Sequence, residues 1–271
     1  MVINKINQYL TENELILNDA IRYEIEKMAG VCFKRQFMEV KEDTKKGKLQ
    51  LSGAGKCPRQ LAYGYHGVEK KGKELNSRSK IVFFQGDLVE LMIVSIAKLA
   101  GCNLIGTGLN QGVVKLPVAG YIIEGHPDGF LLEPEEILLI EVKSMSSYGF
   151  ARFQDGEIDE GYLAQVNSYV DATGLERCVF IGLNKDSGVL HEIILTKDDT
   201  IVKQCKENLL CVLNSSPEKL PEPKYKPNKK GFYPWNCLYC SWWGVCHPNA
   251  EKVLVKNSYK LAEKKCNPPT K

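Results

Sequence analysis

The spacing of apolar residues along the chain predicts an alternation of helices and strands. Apolar positions three and four residues apart predict helices over 13–29, 81–100, 157–173 and 197–213. Gly30, Gly101 and Gly174 are suited to end the first three of these helices. Short apolar runs bounded by turn residues predict strands over 119–132, 136–143, 177–183 and 189–195. This order indicates an α/β fold of the α+β type, with a mixed sheet packed against helices.

Polar segments divide the predicted elements into three regions. Residues 1–80 form an N-terminal helical region with polar loops at 41–56 and 69–80, and residues 81–213 form the core. Residues 214–231 are rich in proline and lysine, which predicts a linker or extended arm at the start of a C-terminal region, 214–271.

Composition narrows the class of protein only moderately. Of the 271 residues, 44% are hydrophobic and 25% are charged, which is ordinary for a globular chain and excludes a fibrous or wholly disordered one. The net charge of +3 neither requires nor excludes a nucleic-acid partner. We expect no membrane partner, because no apolar run reaches the roughly 18 residues of a membrane span. The N-terminus lacks the apolar core of a signal peptide, so we expect a cytoplasmic protein.

The segment 125–144 predicts a hairpin that brings two carboxylates together. If residues 133–136 form the turn, Leu132 pairs with Ile137 and Asp128 falls opposite Glu141. Side chains of directly opposed residues lie on one face about 4.5–5.5 Å apart, and Lys143 shares that face.

A divalent cation is one explanation for two facing carboxylates. The apolar run at 137–140 is typical of a strand covered on both faces, where paired carboxylates would repel each other without water. Mg²⁺ favours carboxylate oxygens and would remove the conflict. The alternative is a surface hairpin in which Asp128, Glu141 and Lys143 are simply solvated.

Two predicted helices carry further polar side chains. Glu90 lies among apolar residues of helix 81–100, and an inward carboxylate requires a metal or a salt bridge to a core Arg or Lys. In helix 157–173, Gln165 and Tyr169 share a face with Tyr162 and Val166, where a structural helix would more often carry Leu or Val.

These residues resemble the motifs of a known nuclease family. Pro127-Asp128, the triplet Glu141-Val142-Lys143 and Gln165-x-x-x-Tyr169 resemble the PD-(D/E)XK nucleases of the RecB branch. Gly86-x-x-x-Glu90 stands where that branch has its first motif, usually Gly-x-x-x-His, so Glu90 departs from the commonest form.

The resemblance implies a restriction-endonuclease-like core flanked by helices, and a metal-dependent DNA exonuclease. Glu90, Asp128, Glu141 and the Val142 carbonyl would hold one or two Mg²⁺ or Mn²⁺ ions. Lys143 would orient the attacking water, and Gln165 and Tyr169 would contact the DNA. The implied substrate is single-stranded DNA or DNA ends, in recombination, repair or CRISPR or phage DNA processing.

The ten cysteines contain a second candidate site. Cys237-x₂-Cys240-x₅-Cys246 supplies three thiols, and a closed site needs a fourth ligand, for which Cys57 is the first candidate and His247 the second. We interpret most of the remaining cysteines as buried hydrophobic residues. Lysines at 41–48 and 219–230 could contact phosphates. For Trp235, Trp242 and Trp243, packing around the site is favoured over stacking on bases.

This cysteine spacing resembles the iron–sulphur nucleases of the same branch, including the CRISPR-associated exonuclease family. The resemblance implies that Cys57, Cys237, Cys240 and Cys246 hold a [4Fe–4S] cluster, with Zn²⁺ as the less favoured alternative. It also implies a bacterial, archaeal or phage-infected cell. A second hypothesis is a non-catalytic, cluster-bearing DNA-binding subunit of a recombination or CRISPR adaptation complex. The intact Asp128, Glu141 and Lys143 argue against it.

Overall fold

A computed structural model describes residues 1–12, 18–38, 46–71, 77–256 and 258–264. The helices are α1 (Val2–Thr11), α2 (Asp19–Phe33), α3 (Pro58–Tyr65), α4 (Ser77–Leu99), α5 (Ser147–Gln154), α6 (Glu160–Thr173), α7 (Asp199–Leu213), α8 (Trp235–Leu238) and α9 (Trp243–Cys246). The strands are β1 (Leu104–Ile105), β2 (Val114–Val118), β3 (Tyr121–Gly125), β4 (Gly129–Leu132), β5 (Ile137–Met145), β6 (Arg177–Asn184), β7 (Leu190–Thr196), β8 (Ala250–Val255) and β9 (Ser258–Glu263). A π-helical turn, Lys34–Met38, continues α2, and 3₁₀ turns lie at Leu51–Gly53 and Gly108–Asn110.

The chain divides into two compact units. The sheet unit comprises Met1–Glu42, Gln50–Gly55 and Ser77–Lys206. The cysteine unit comprises Asp43–Leu49, Lys56–Asn76 and Glu207–Lys271. Among the residues described, no helix combines the length and the apolar character needed to cross a membrane.

The sheet unit contains the mixed sheet that the sequence predicts. Within the described ranges, five of its strands pair in the order β1-β4-β5-β6-β7. β5 and β6 are parallel, and the other neighbours in this sheet are antiparallel. The α/β prediction with a mixed sheet flanked by helices is therefore confirmed.

Strand β5 has one apolar face towards the core and one face that mixes charged groups with the buried side chains of Leu139 and Met145. Leu138, Ile140 and Val142 belong to one apolar core together with Ile6 of α1 and Ile93 of α4. Because side chains alternate along a strand, Glu141 and Lys143 point to the opposite face, towards α6. The alternation therefore lets a strand in the middle of the sheet carry both core residues and charged groups.

Several element boundaries in the structure differ from the predicted ones, for identifiable reasons. Gly30 does not end a helix: α2 runs through it to Phe33, and a side chain at this position would meet nothing within 4 Å. The predicted strand 119–132 is divided into β3 and β4 around Pro127, which has no backbone N–H for strand pairing. Strand β2, helix α5 and the β8–β9 hairpin were not predicted from the sequence. Gly174 does end its helix, with φ at +71°.

The cysteine unit is built around short elements. β8 and β9 pair antiparallel, and Leu261 forms a small core with Cys237, Ala250 and Trp243. No helix or strand occurs within 214–231, consistent with the extended arm expected there. Residues 13–17 and 41–45, and Cys266, for which predictions were made, lie outside the described residues.

Candidate active site

The β4–β5 hairpin has the register that the sequence predicts. Leu132 pairs with Ile137 and Gly129 with Ile140, so Asp128 and Glu141 are the next opposed positions. Asp128 Oδ2 accepts a hydrogen bond of 2.7 Å from the backbone N–H of Val142, which fixes the first carboxylate beside the second strand.

Burial excludes the alternative of a solvated surface hairpin. Glu141 has no exposed surface and Asp128 is 7% exposed. Lys143 Nζ and Gln165 Nε2 both donate to Glu141 Oε1, the latter at 2.7 Å. Glu141 Oε2 is buried without a hydrogen-bond partner in the described part of the chain. An orphaned carboxylate oxygen in this environment is costly unless a cation or a proton satisfies it.

The charge states of the site reflect this burial. Burial, and then the nearby Asp128, raise the pKa of Glu141 from 4.5 to about 8. Burial also raises the pKa of Asp128, against the opposing effects of Lys143 and the Val142 N–H. For Lys143, burial alone would lower the pKa, but the attraction of Glu141 and Asp128 outweighs it and raises the pKa. The site therefore holds one ammonium group, that of Lys143, and more carboxyl groups than this single positive charge can keep ionised.

Helix α4 adds a third carboxylate. Burial, followed by the charge of Asp128, raises the pKa of Glu90 to about 8. Glu90 and Asp128 line the same cleft, which has a volume of about 550 Å³. The salt bridge considered as the alternative for Glu90 is not found among the described residues. Besides burial, the charges of Asp128 and Glu141 both raise the pKa of Glu90, so this carboxylate lies near the other two.

Helix α6 positions the polar residues of the predicted Gln-x-x-x-Tyr motif. Besides its bond to Glu141, Gln165 Nε2 lies 3.4 Å from the Tyr169 hydroxyl. Tyr169 is only 2% exposed, and burial followed by the charge of Glu141 raises its pKa to about 12. One turn before Gln165, the Tyr162 ring lies 5.7 Å from Lys143 Nζ. The structure thus brings Gln165 to Glu141, a contact that the sequence did not predict.

A close approach of the backbone makes room for Tyr169. Gly125 ends β3, and a Cβ at this position would lie 2.4 Å from Tyr169 Cε1 and 3.0 Å from Leu51 Cβ. These distances are shorter than normal contacts, so only glycine lets the tyrosine ring reach its place without a shift.

The cleft also includes residues that the sequence analysis missed. Helix α2 and the π-helical turn line it with Glu24, Met28, Cys32 and Arg35, and His126 lies in the loop before Asp128. Arg35 forms an ion pair of 2.7 Å with Asp87 of α4, which also accepts a hydrogen bond from Gln36 at 3.0 Å. No sequence pattern linked α2 to the motifs, because tertiary packing alone sets it against α4.

The second candidate site lies entirely in the cysteine unit. Cys57 precedes α3, Cys237 lies in α8 and Cys246 ends α9, and these three and Cys240 line one small cavity of about 20 Å³ with His247. Burial, followed by Cys246, Cys240 and Cys57, raises the pKa of Cys237 to about 12. His247 Nε2 is 3.8 Å from Cys237 Sγ. The fold therefore brings together all four predicted thiols and also the alternative ligand.

Neither site is preformed for a metal. Within the described ranges, no group of three or more His, Cys, Asp or Glu side chains is already arranged to hold a metal ion.

In the cysteine unit, the Trp242 indole donates to the Val68 carbonyl at 2.8 Å and stacks on Tyr63, while Trp243 packs in the core. These two tryptophans therefore have packing contacts, whereas Trp235 is 59% exposed.

Comparisons with known proteins give matches among solved structures. The crystal structure of SSO0001 matches with a TM-score of 0.48 and 18% identity, over 82% of this chain and 95% of that chain. The alkaline exonuclease LHK-Exo from Laribacter hongkongensis matches with a TM-score of 0.45 and 16% identity, over 62% and 87%. The crystal structure of LHK-Exo in complex with dAMP matches with a TM-score of 0.46 and 16% identity, over 63% of this chain and 88% of that chain. No protein-family model and no curated protein matches the chain.

Proposed function

We propose that the sheet unit is a metal-dependent deoxyribonuclease that hydrolyses phosphodiester bonds. The observation that carries the proposal is a set of three carboxylates with Lys143 as counter-charge. Asp128 and Glu141 are buried, and Glu90 and Asp128 line the cleft. A purely structural ion pair would match one carboxylate to one cation. Here two carboxylates have pKa values near 8, so the site gains most from a ligand of high positive charge.

The donor set fits a hard divalent cation such as Mg²⁺ or Mn²⁺. Glu90, Asp128 and Glu141 would hold it through carboxylate oxygens, together with the carbonyl of Val142. The orphaned Glu141 Oε2 is the donor atom that most clearly lacks a partner in the part of the chain described. When bound, the cation would polarise the scissile phosphate and lower the pKa of a water.

The chain's own residues position and compensate these groups. Lys143 and Gln165 hold Glu141 through its Oε1 atom, which leaves Oε2 for the ligand. The ammonium of Lys143 stays protonated because the carboxylates raise its pKa, so it can stabilise negative charge developing on the phosphate. Gln165 acts as a positioning residue for Glu141, and Tyr169 packs behind it. DNA as the substrate, single-stranded or with free ends, is supported by the order of the four motifs.

Digestion of end-labelled DNA tests this function. Wild-type protein should cleave a labelled single strand with Mn²⁺ or Mg²⁺ and lose this activity in EDTA. Asp128→Asn should be inactive, while Glu136→Gln on the same hairpin, whose residue pairs with Arg177 near the surface, should cleave normally. Equal cleavage by Asp128→Asn and wild type would remove the hairpin from the active site. Metal-independent DNA binding without cleavage would favour the non-catalytic subunit.

We also propose that Cys57, Cys237, Cys240 and Cys246 hold a [4Fe–4S] cluster. Four thiols around one cavity supply the ligand set such a cluster requires. Four thiolates would also complete a tetrahedral Zn²⁺ site, which is the alternative. The cluster would link Cys57 to the C-terminal cysteines and contribute to folding of the cysteine unit.

The metal content of anaerobically purified protein distinguishes the two cases. The cluster predicts brown protein with four irons per chain. Cys57→Ser should bleach it and lower its melting temperature, whereas Cys211→Ser, which changes an exposed thiol of α7, should do neither. Colourless protein with one zinc per chain would overturn the cluster. A brown Cys57→Ser variant would assign the fourth ligand position to His247 or another thiol.

A further inference from the structure

Positive and negative charge are divided unevenly between the two units. The whole chain has a net charge of only +3, but the cysteine unit has 19 Lys and Arg residues against 8 Asp and Glu residues, a net charge of +11. The sheet unit has 17 Lys and Arg residues against 25 Asp and Glu residues, a net charge of −8. The unit that contains the carboxylate cleft is therefore acidic as a whole, and it repels a polyanion unless another part of the chain attracts it.

Part of the positive charge of the cysteine unit lies on the extended arm. Along residues 222–228, odd-numbered side chains are half-buried and even-numbered ones are exposed, so Lys224 and Lys226 face solvent. Two of the half-buried residues, Pro223 and Tyr225, line the cavity of the four cysteines. These contacts hold one side of the arm in place, and the lysines of the other side are displayed on an ordered backbone.

The arm continues into a turn that adds two more lysines beside β9. The Asn228 N–H donates to the Phe232 carbonyl at 2.8 Å, and the Phe232 N–H donates to Asn228 Oδ1 at 3.1 Å. The turn that these bonds close carries Lys229 and Lys230, which are both exposed. Phe232 then forms an antiparallel bridge with β9, and Lys260 Nζ of this strand lies 5.3 Å from the centroid of the Phe232 ring. The turn and β9 therefore present their lysines on neighbouring segments.

Four exposed lysines of these segments have no carboxylate within ion-pair distance in the part of the chain that the structure describes. In the sheet unit, by contrast, cations such as Lys98 and Arg177 are each paired with a glutamate. Segments 222–232 and 250–264 together contain eight lysines and three glutamates, so like charges outnumber their opposites and repel each other. An anionic partner would relieve this repulsion. We call the four lysines the basic face: Lys226, Lys229, Lys230 and Lys260.

We infer that the basic face binds the phosphate backbone of the DNA that the sheet unit cleaves. The inference rests on the proposed nuclease function and deepens it, because it assigns DNA affinity and DNA hydrolysis to different units. Lysine contacts to phosphates supply affinity that is independent of sequence and falls with salt, and the acidic sheet unit is poorly suited to supply it. Of the lysines that the sequence offered for phosphate contact, this selects three at 226–230, and Lys260 of β9 is added by the structure.

The salt dependence of DNA binding tests the basic face. Fluorescence anisotropy without added Mg²⁺ or Mn²⁺ would measure the Kd of a labelled single-stranded oligonucleotide at several KCl concentrations, with a denaturing gel to verify that the strand stays intact. A variant combining Lys229→Gln, Lys230→Gln and Lys260→Gln should lower the slope of log Kd against log[KCl] by about two, at about 0.7 per lost phosphate contact. At about 100 mM KCl it should bind at least about tenfold more weakly.

A control variant removes the same charge from the other unit. It changes three exposed lysines of the sheet unit to glutamine and should keep the wild-type slope and affinity: Lys5, Lys185 and Lys203. Far-UV circular dichroism and metal content should match wild type for both triple variants. An equal loss of affinity in the two variants would show that only the net charge of the chain matters, and would overturn the basic face.

Other outcomes separate the basic face from the nuclease. A wild-type slope near zero would overturn the basic face, and this result does not depend on any variant folding. Metal-dependent cleavage with an unchanged slope in the Lys229, Lys230 and Lys260 variant would overturn the basic face and uphold the nuclease. Self-association of wild type at low salt that this variant loses, with DNA binding unchanged, would assign the face to the acidic sheet unit of a second copy. Salt-dependent binding that this variant loses, without cleavage by wild type, would uphold the face and overturn the nuclease.

Discussion

Glu141→Gln should abolish cleavage and at the same time stabilise the metal-free protein at alkaline pH. The carboxylate has no exposed surface, and its pKa is raised from 4.5 to about 8. A carboxyl group whose pKa is raised on folding contributes fully to stability below its unfolded pKa. That contribution is lost as the pH rises through the folded value. Glutamine keeps the shape and can still accept from Lys143, but it has no charge to desolvate.

The expected magnitude follows from the size of the pKa change. A shift from 4.5 to about 8 corresponds to up to about 5 kcal/mol at about 1.36 kcal/mol per unit. Between pH 4.5 and 8, the free energy of unfolding of Glu141→Gln should therefore rise relative to wild type by up to this amount. Cleavage should fall by at least about a thousandfold, because the variant loses a metal ligand.

Urea unfolding in EDTA at several pH values measures this difference. Far-UV circular dichroism is the appropriate probe, because Trp235, Trp242 and Trp243 all lie in the cysteine unit and fluorescence would report on that unit. Glu136→Gln is the control and should cost at most about 1 kcal/mol, the value of an exposed ion pair. If Glu141→Gln and wild type lose stability in parallel as the pH rises, Glu141 ionises without penalty and the argument from burial is wrong.

Three further predictions concern the sheet unit. Lys143→Ala should lower kcat about 100- to 1,000-fold with DNA affinity unchanged, because the ammonium stabilises charge in the transition state. If fluorescence anisotropy shows a loss of DNA affinity instead, Lys143 is a simple phosphate contact. Gly125→Ala should lower stability by about 1–3 kcal/mol and reduce cleavage, because its Cβ would displace Tyr169. The control Gly30→Ala should raise stability by about 0.5–1 kcal/mol. Equal melting temperatures for the two variants would contradict the close approach of Gly125 to Tyr169. Mg²⁺ should raise the melting temperature more at about pH 8.5 than at about pH 6, because protons compete with the ion for the carboxylates of Glu90 and Glu141. A rise in melting temperature that is independent of pH would place the ion elsewhere.

The sequence alone determined the local parts of this protein. Strand periodicity and the turn at 133–136 were sufficient for the β4–β5 register. A slip of one residue would turn Glu141 and Lys143 into the apolar core that contains Leu138, Ile140 and Val142. Gly174 ended its helix as predicted, since only a residue that tolerates positive φ fits there. The candidate residues Asp128, Glu141, Lys143 and Gln165 were likewise identifiable, because charged and polar groups at apolar positions are conspicuous in a linear pattern.

Only the tertiary structure decided which distant residues join these groups. The packing of α2 against α4 brings Arg35 to Asp87 and Phe33 to Phe84, across about 50 residues of chain with no shared pattern. The burial that raises the pKa of Glu141, and the bond from Gln165 to it, depend on α6 covering that face of the sheet. Periodicity describes which side of an element is apolar, whereas the environment of a charge depends on what packs against that side, and this is a property of the whole fold.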